Sequence, residues 1–169
     1  ITMIRLGLIG YPISASVSPQ IHSAALKEAG LNGEYKLYPI HPDDKQGLKD
    51  LLAKVRNGEL QGLNVTIPHK QNIIPLMDEL SETAATVGAV NTIVLRDDKL
   101  IGENTDAPGF WDDLQNLRPV RFLKPDRSPH ALILGAGGAA RAVTYALLNA
   151  GWDVTLATRA DDIPQAKEL

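Results

Sequence analysis

The stretch Leu132-Ile133-Leu134-Gly135-Ala136-Gly137-Gly138-Ala139-Ala140 decides the fold. Three apolar residues run directly into glycines spaced G-x-G-x-x-A, and a small-residue segment follows. A buried strand that breaks at a tight turn and re-enters the chain as a helix needs this order. Gly135 permits the turn, Gly137 lets backbone approach a ligand closely, and Ala140 allows the helix to pack tightly on the strand. The first turn of such a helix carries N–H groups without intrahelical partners and a partial positive charge, which suit a pyrophosphate. The alternative is a tight turn that binds nothing. Residues 131–134 read as a strand, 137–150 as a helix and 154–157 as a second strand. That strand runs out at Ala157-Thr158-Arg159. An arginine there suits a ribose 2′-phosphate through a charge-assisted contact, or else it is a solvated surface residue. Asp161 and Asp162 follow it immediately.

Upstream of this unit, residues 117–129 hold three prolines and four basic residues without helical period, and read as a linker. Before it, strands are predicted at 4–9, 35–40, 62–67, 90–95 and 100–103, the last two joined by a turn at Asp97-Asp98. A helix opens near Pro19 with Ser18 as N-cap and stops at Gly30. A second, over 43–56, puts Leu48, Leu51, Leu52 and Val55 on one face. One or two short helices fall within 73–87, and another spans 105–117. Strands alternating with helices indicate an α/β protein: a mixed, mostly parallel sheet flanked by helices, followed by the first βαβ of a Rossmann-type dinucleotide-binding domain. The expected division is 1–116, a linker over 117–129, and 130–169.

The chain has 169 residues, 44% hydrophobic and 22% charged, enough for a sizeable core. It has no cysteine, which excludes disulfides and thiolate metal sites and fits a reducing cytoplasm. A net charge of -3 with interspersed signs gives no basic stripe for nucleic acid or an anionic membrane. The apolar start is too short and glycine-broken for a signal peptide or membrane span.

Three polar clusters stand out. Ser16 and Ser18 are two apart on a loop entering a helix, so both hydroxyls can face one anion; the plainer reading makes Ser18 a cap and Ser16 a turn residue. Asn64 and Thr66 alternate with Leu63, Val65 and Ile67, which gives one polar strand face ahead of Pro68 and Lys70. That suits a hydroxylated ligand, or else a half-exposed edge strand beside a surface lysine. Asn91 and the run Asn104-Thr105-Asp106 flank the hairpin, although Thr105 and Asp106 are also residue types that cap helices. His22 and His69 have no partner at metal-ligand spacing, so both read as structural and no metal site is expected.

Taken together, these clusters resemble the shikimate dehydrogenase family. The resemblance is carried by Gly10-Tyr11-Pro12 through Ser16-Val17-Ser18-Pro19 with His22, by Gly62 with Asn64 to Lys70, by Ala89-Val90-Asn91-Thr92, by Gly102 to Asp106 with Gly109, and by Gly135 to Ala139. It implies a cytoplasmic enzyme of aromatic amino acid biosynthesis that reversibly reduces 3-dehydroshikimate to shikimate with NADPH. It further implies that Ser16 and Ser18 bind the substrate carboxylate and that Asn64, Thr66, Asn91 and Asp106 hold ring hydroxyls. Lys70 and Asp106 would be the catalytic pair. Gly135, Ala136, Gly137, Gly138 and Ala139 would hold the pyrophosphate, and Thr158 and Arg159 the phosphorylated ribose end of NADP.

The sequence departs from the family pattern at Ser23, where the family usually has Asn, and at Thr158-Arg159-Ala160, where it usually has Asn-Arg-Thr and a further basic residue. The family's chains are also longer, so the nucleotide domain is expected to be truncated here. Two neighbouring readings remain at this point: a relative of dual quinate and shikimate specificity, and a substrate-binding fragment without turnover. The expected partner is a small-molecule substrate, in a monomer or homodimer.

Overall fold

The computed structural model describes residues 3–117 and 128–167. Residues 118–127 of the expected linker lie outside the described residues. Two compact units emerge: residues 1–81 with 90–103, and residues 82–89 with the chain from Asn104 onward.

The first unit is built on a six-stranded sheet ordered β2-β1-β3-β5-β6-β4. Its strands are β1 (Ile4–Gly10), β2 (Gly33–Pro39), β3 (Gly62–Val65), β4 (Glu79–Leu80), β5 (Thr92–Arg96) and β6 (Lys99–Glu103). β1 pairs in parallel with β2 and β3, and β4 runs parallel to β6, while β3–β5 and β5–β6 are antiparallel. The sheet is mixed and mostly parallel, as the sequence predicted. Parallel neighbours need crossovers, and α1 (Ser18–Glu28) and α2 (Lys45–Arg56) supply them. In α2 the side chains of Leu48, Leu51, Leu52 and Val55 are all buried and the helix packs on β5 and β6. Asp44 caps it, its carboxylate accepting from the Gly47 N–H at 2.8 Å.

Three expectations change in this unit. Ser18 does not cap α1; it lies inside the first turn, because its N–H already donates to the Ser16 hydroxyl at 3.2 Å. β3 ends at Val65, and Ile67 is 73% exposed instead of sharing the buried face with Leu63 and Val65. The physical reason lies in the loops: the Ile67 carbonyl accepts from the Tyr11 N–H at 3.0 Å, and Pro68 cannot extend a ladder. β3 is also an interior strand, flanked by β1 and β5, so the edge-strand alternative fails. Within 73–87 the chain forms not only helix but the short strand β4, which follows α3 (His69–Asn72) and a 3-10 turn at Ile74–Leu76. A Cβ at Gly102 would lie 2.7 Å from Val90 and 2.8 Å from Leu80, so glycine is required where β6 meets these neighbours. The hairpin turns as expected, with Asp97 and Asp98 both at positive φ, the conformation a two-residue turn between twisted strands requires.

The second unit contains α4 (Glu82–Val87), α5 (Asp106–Asn116), β7 (His130–Leu134), α6 (Gly138–Asn149), β8 (Asp153–Ala157) and α7 (Ile163–Ala166). Its core gathers Val87, Ala89, Ala107, Ala142 and Ala146, with Phe110, Trp111 and Tyr145 packed around them. β7 and β8 pair in parallel, and α6 packs on both. This is the strand–turn–helix–strand order read from the sequence.

Candidate functional site

In the first unit the polar residues form a row. The Ser16 hydroxyl donates to the Ser18 hydroxyl at 3.1 Å. The Ser18 hydroxyl lies beside the Tyr35 phenol. Tyr35 donates to Asn64 Oδ1 at 2.8 Å, and Asn64 Nδ2 donates to Thr92 Oγ1 at 3.3 Å. Thr92 Oγ1 in turn donates to Asn91 Oδ1 at 3.0 Å. Each link follows from the fold: Tyr35 is on β2, Asn64 on β3, and the β3–β5 register sets Asn64 opposite Thr92. Burial pushes the Tyr35 phenol up to about 12, with the neighbouring Ser18 hydroxyl pulling its pKa down. The phenol therefore stays protonated and remains a donor to Asn64. His22 stacks on the Tyr35 ring, centroids 4.2 Å apart, which is the structural use the sequence assigned to it.

Backbone bonds fix the rest of this unit's candidates. The Thr66 N–H donates to the Ile9 carbonyl at 2.8 Å, and the Thr66 carbonyl accepts from the His69 N–H at 2.9 Å. His69 is 1% exposed and its ring meets the Ile40 carbonyl at 2.7 Å, so it braces the turn. Lys70 is half-buried on α3, its carbonyl accepting from the Val90 N–H at 2.8 Å. Asn91 is buried, and its backbone bridges Val65 and Glu103. Side-chain hydrogen bonds thus join Ser16 to Ser18 and, separately, Asn64 to Asn91 through Thr92, while Thr66 and Lys70 are held by the turn that follows β3.

In the second unit, Asp106 is the first residue of α5. Thr105 holds the N-cap position without a side-chain cap bond, and the Asn104 carboxamide oxygen accepts from the N–H groups of Asp106 and Ala107, both at 3.1 Å. Asn104 is itself anchored, its Nδ2 donating to the Ala89 carbonyl at 2.9 Å.

The glycine turn has the geometry its sequence requires. Gly135 has φ +111°, and a Cβ at Gly135 or Gly137 would meet nothing within 4 Å, so the turn is open to a ligand. A cavity of about 530 Å³ is lined by Leu134, Gly135, Ala136, Gly137, Ala157, Thr158, Arg159 and Asp162. It collects the turn up to Gly137, the residue before α6, and the end of β8, while Gly138 and Ala139 are not among its lining residues. This shape and its helix N-terminus fit the pyrophosphate of a dinucleotide. Arg159 reaches the same cavity, although its guanidinium is paired with Asp162 at 2.9 Å. A phosphate there would have to draw Arg159 from that pair. A second cavity of about 350 Å³, near Trp111 and Tyr145, holds none of the nominated residues.

Tyr35 joins this polar set without having been singled out in the sequence, while Thr92 and Asn104 stood in its polar stretches without an assigned role. Thr92 carried a signal, a polar residue beside Asn91 in an otherwise apolar strand, but its partner Asn64 is set by a register the sequence does not print.

Residues 8–93 match the model of the family described as the shikimate dehydrogenase substrate binding domain. An NADP(+) shikimate dehydrogenase from Oceanobacillus iheyensis is 45% identical over 89% of this chain and 53% of the relative. A shikimate dehydrogenase structure from Aquifex aeolicus superposes with a TM-score of 0.84 at 38% identity, covering 99% of this chain and 60% of that one. The Thermus thermophilus shikimate 5-dehydrogenase in complex with NADP(H) and shikimate gives a TM-score of 0.83 at 36% identity, covering 98% and 60%. The chain spans about half the length of the curated relatives it matches.

Proposed function

Because the chain belongs to the shikimate dehydrogenase family, we propose that it carries the shikimate site of an NADP-dependent oxidoreductase interconverting 3-dehydroshikimate and shikimate. The observation that carries this reading is the polar row of the first unit, the Ser16–Ser18 hydroxyl pair and the bonded set Tyr35, Asn64, Thr92 and Asn91, a preformed set of hydroxyls and amides suited to a small polyhydroxylated acid. Solved relatives hold shikimate and NADP(H), which supports both ligands.

Each residue's chemistry then follows. Ser16 and Ser18 would donate to the substrate carboxylate. Asn64, Thr66 and Asn91 would hold the ring hydroxyls. A bound NADPH would supply hydride to the ketone carbon. Lys70 would stabilise the negative charge developing on that carbon's oxygen and donate the Nζ proton to it. Asp106 would be the second member of the catalytic pair and bind a ring hydroxyl. Gly135 to Ala139 would receive the pyrophosphate, and Thr158 and Arg159 the 2′-phosphate end. Functionally, residues 1–116 would serve the substrate and residues from 130 the dinucleotide, with 117–129 between them. Both hydroxyl positions at 16 and 18 being serine favours shikimate over quinate.

Among the described residues no helix is long and apolar enough to cross a membrane, and we place the enzyme in the cytoplasm as a monomer or homodimer. Calorimetric titration with shikimate, run beside an NADP-linked turnover assay, tests the reading. Saturable binding that Ser16→Ala and Ser18→Ala weaken supports it, whereas binding of quinate in preference to shikimate, or of neither acid, overturns it.

A further inference from the structure

Thr92 occupies a singular place in the polar row. The β3–β5 register sets it directly opposite Asn64, and its hydroxyl bridges two carboxamides. Oγ1 accepts from Asn64 Nδ2 at 3.3 Å and donates to Asn91 Oδ1 at 3.0 Å. A hydroxyl has one hydrogen, so once that goes to Asn91 it can only accept from Asn64. Asn64 must then turn its NH2 toward Thr92, and Asn91 its carbonyl oxygen. The far side of Asn64 agrees, because Tyr35 donates to Oδ1 at 2.8 Å. The shared hydroxyl thereby couples the two carboxamides, one presenting its NH2 and the other its carbonyl oxygen.

We propose that Thr92 is a positioning residue that fixes the orientation of the Asn64 and Asn91 amides, and so decides which edge of each meets a polyhydroxylated ligand. This inference rests on the substrate-site reading above. An amide offers donors on one edge and an acceptor on the other, so a flipped amide pairs a ligand hydroxyl with the wrong partner. Locking both amides in advance also removes rotamer freedom that binding would otherwise have to freeze.

Thr92→Val keeps the β-branched shape that suits a strand and deletes only the hydroxyl. Thr92→Ala is a second hydroxyl-free variant, and Thr92→Ser restores the group. Two readouts are taken on the 169-residue chain: the side-chain amide resonances of Asn64 and Asn91 without ligand, and the shikimate Kd by calorimetry. Thermal unfolding of each variant confirms that it is folded. Thr92→Val is expected to shift both amide pairs and weaken shikimate binding about tenfold, as loss of two net hydrogen bonds implies. Thr92→Ser is expected to recover both readouts. Unmoved amide resonances, unchanged affinity in the folded hydroxyl-free variants, or a serine variant no better than valine would each overturn the proposal. If the unsubstituted chain bound no shikimate, the substrate reading would fall, while the ligand-free resonances would still decide whether Thr92 orients the amides.

Discussion

The six-stranded sheet of the first unit and the two-stranded sheet of the second differ in how completely they are covered. In the first, Ile9, Val65 and Ile93 are essentially fully buried, and α2 seals β5 and β6 with four buried aliphatic side chains. In the second, burial alternates strictly along β7 and β8: Ala131, Ile133, Val154 and Leu156 are partly covered, but Leu132 is 63% and Leu134 78% exposed. The polar row of the candidate site lies in the well-covered unit, where a rigid sheet can hold hydroxyls and amides in place before a ligand arrives. The glycine turn lies in the sparsely covered one. Preorganisation of the polar row thus rests on the first unit's packing.

The largest test of that contrast is chemical. Replacing Lys70 by Met should lower NADP-linked turnover roughly 10²- to 10⁴-fold, the usual loss for a general acid, while calorimetry shows shikimate binding changed far less. Equal losses in both would make Lys70 a binding group. Next comes packing: Leu52→Ala, at a site 4% exposed, should cost about 2–5 kcal/mol in chemical denaturation. A loss well under that range would show that the first unit's core is loose.

The third test is pH. The Tyr35 phenol is raised in the folded chain, so its contribution is fully present below its unfolded value near 10 and is lost as pH rises toward about 12. Tyr35→Phe should flatten stability over that alkaline window. Asp78 behaves in the opposite sense: its hydrogen bonds to Arg56 and to the Leu100 N–H lower it. Its contribution is present above the ordinary carboxylate value and fades as pH falls through the folded one, so Asp78→Asn should blunt the acid side. The smallest effect is expected on the bare face. Leu134→Ser should change stability by less than about 0.5 kcal/mol, as for an exposed substitution; a multi-kcal/mol loss would mean that face is covered in solution.

Local signals made much of this fold legible. The apolar run into Gly135, the one-sided leucines of α2 and the Asp97-Asp98 turn are each specified by a few neighbouring residues. Ser16, Asn64 and Lys70 could be proposed as site residues because they sit in recognisable local patterns. What escaped was set by pairing across the chain. The two-residue β4 exists only because β6 passes beside it, and Asn104 reaches the first N–H groups of α5 because the Ala89 carbonyl anchors it. Tyr35 entered the site through a partner 29 positions away. The side-chain period of a strand is legible in a sequence, but its register against a neighbour is not.

The central claim is that the polar row is a ready-made shikimate site, and backbone amide resonances during a shikimate titration test it most directly. Ser16, Ser18, Asn64, Thr66, Lys70 and Asn91 should move together along one saturating curve, with the Gly135 turn unmoved by shikimate alone. Shifts that never saturate, or that fall on Gly135 to Arg159 while the row stays still, would contradict it.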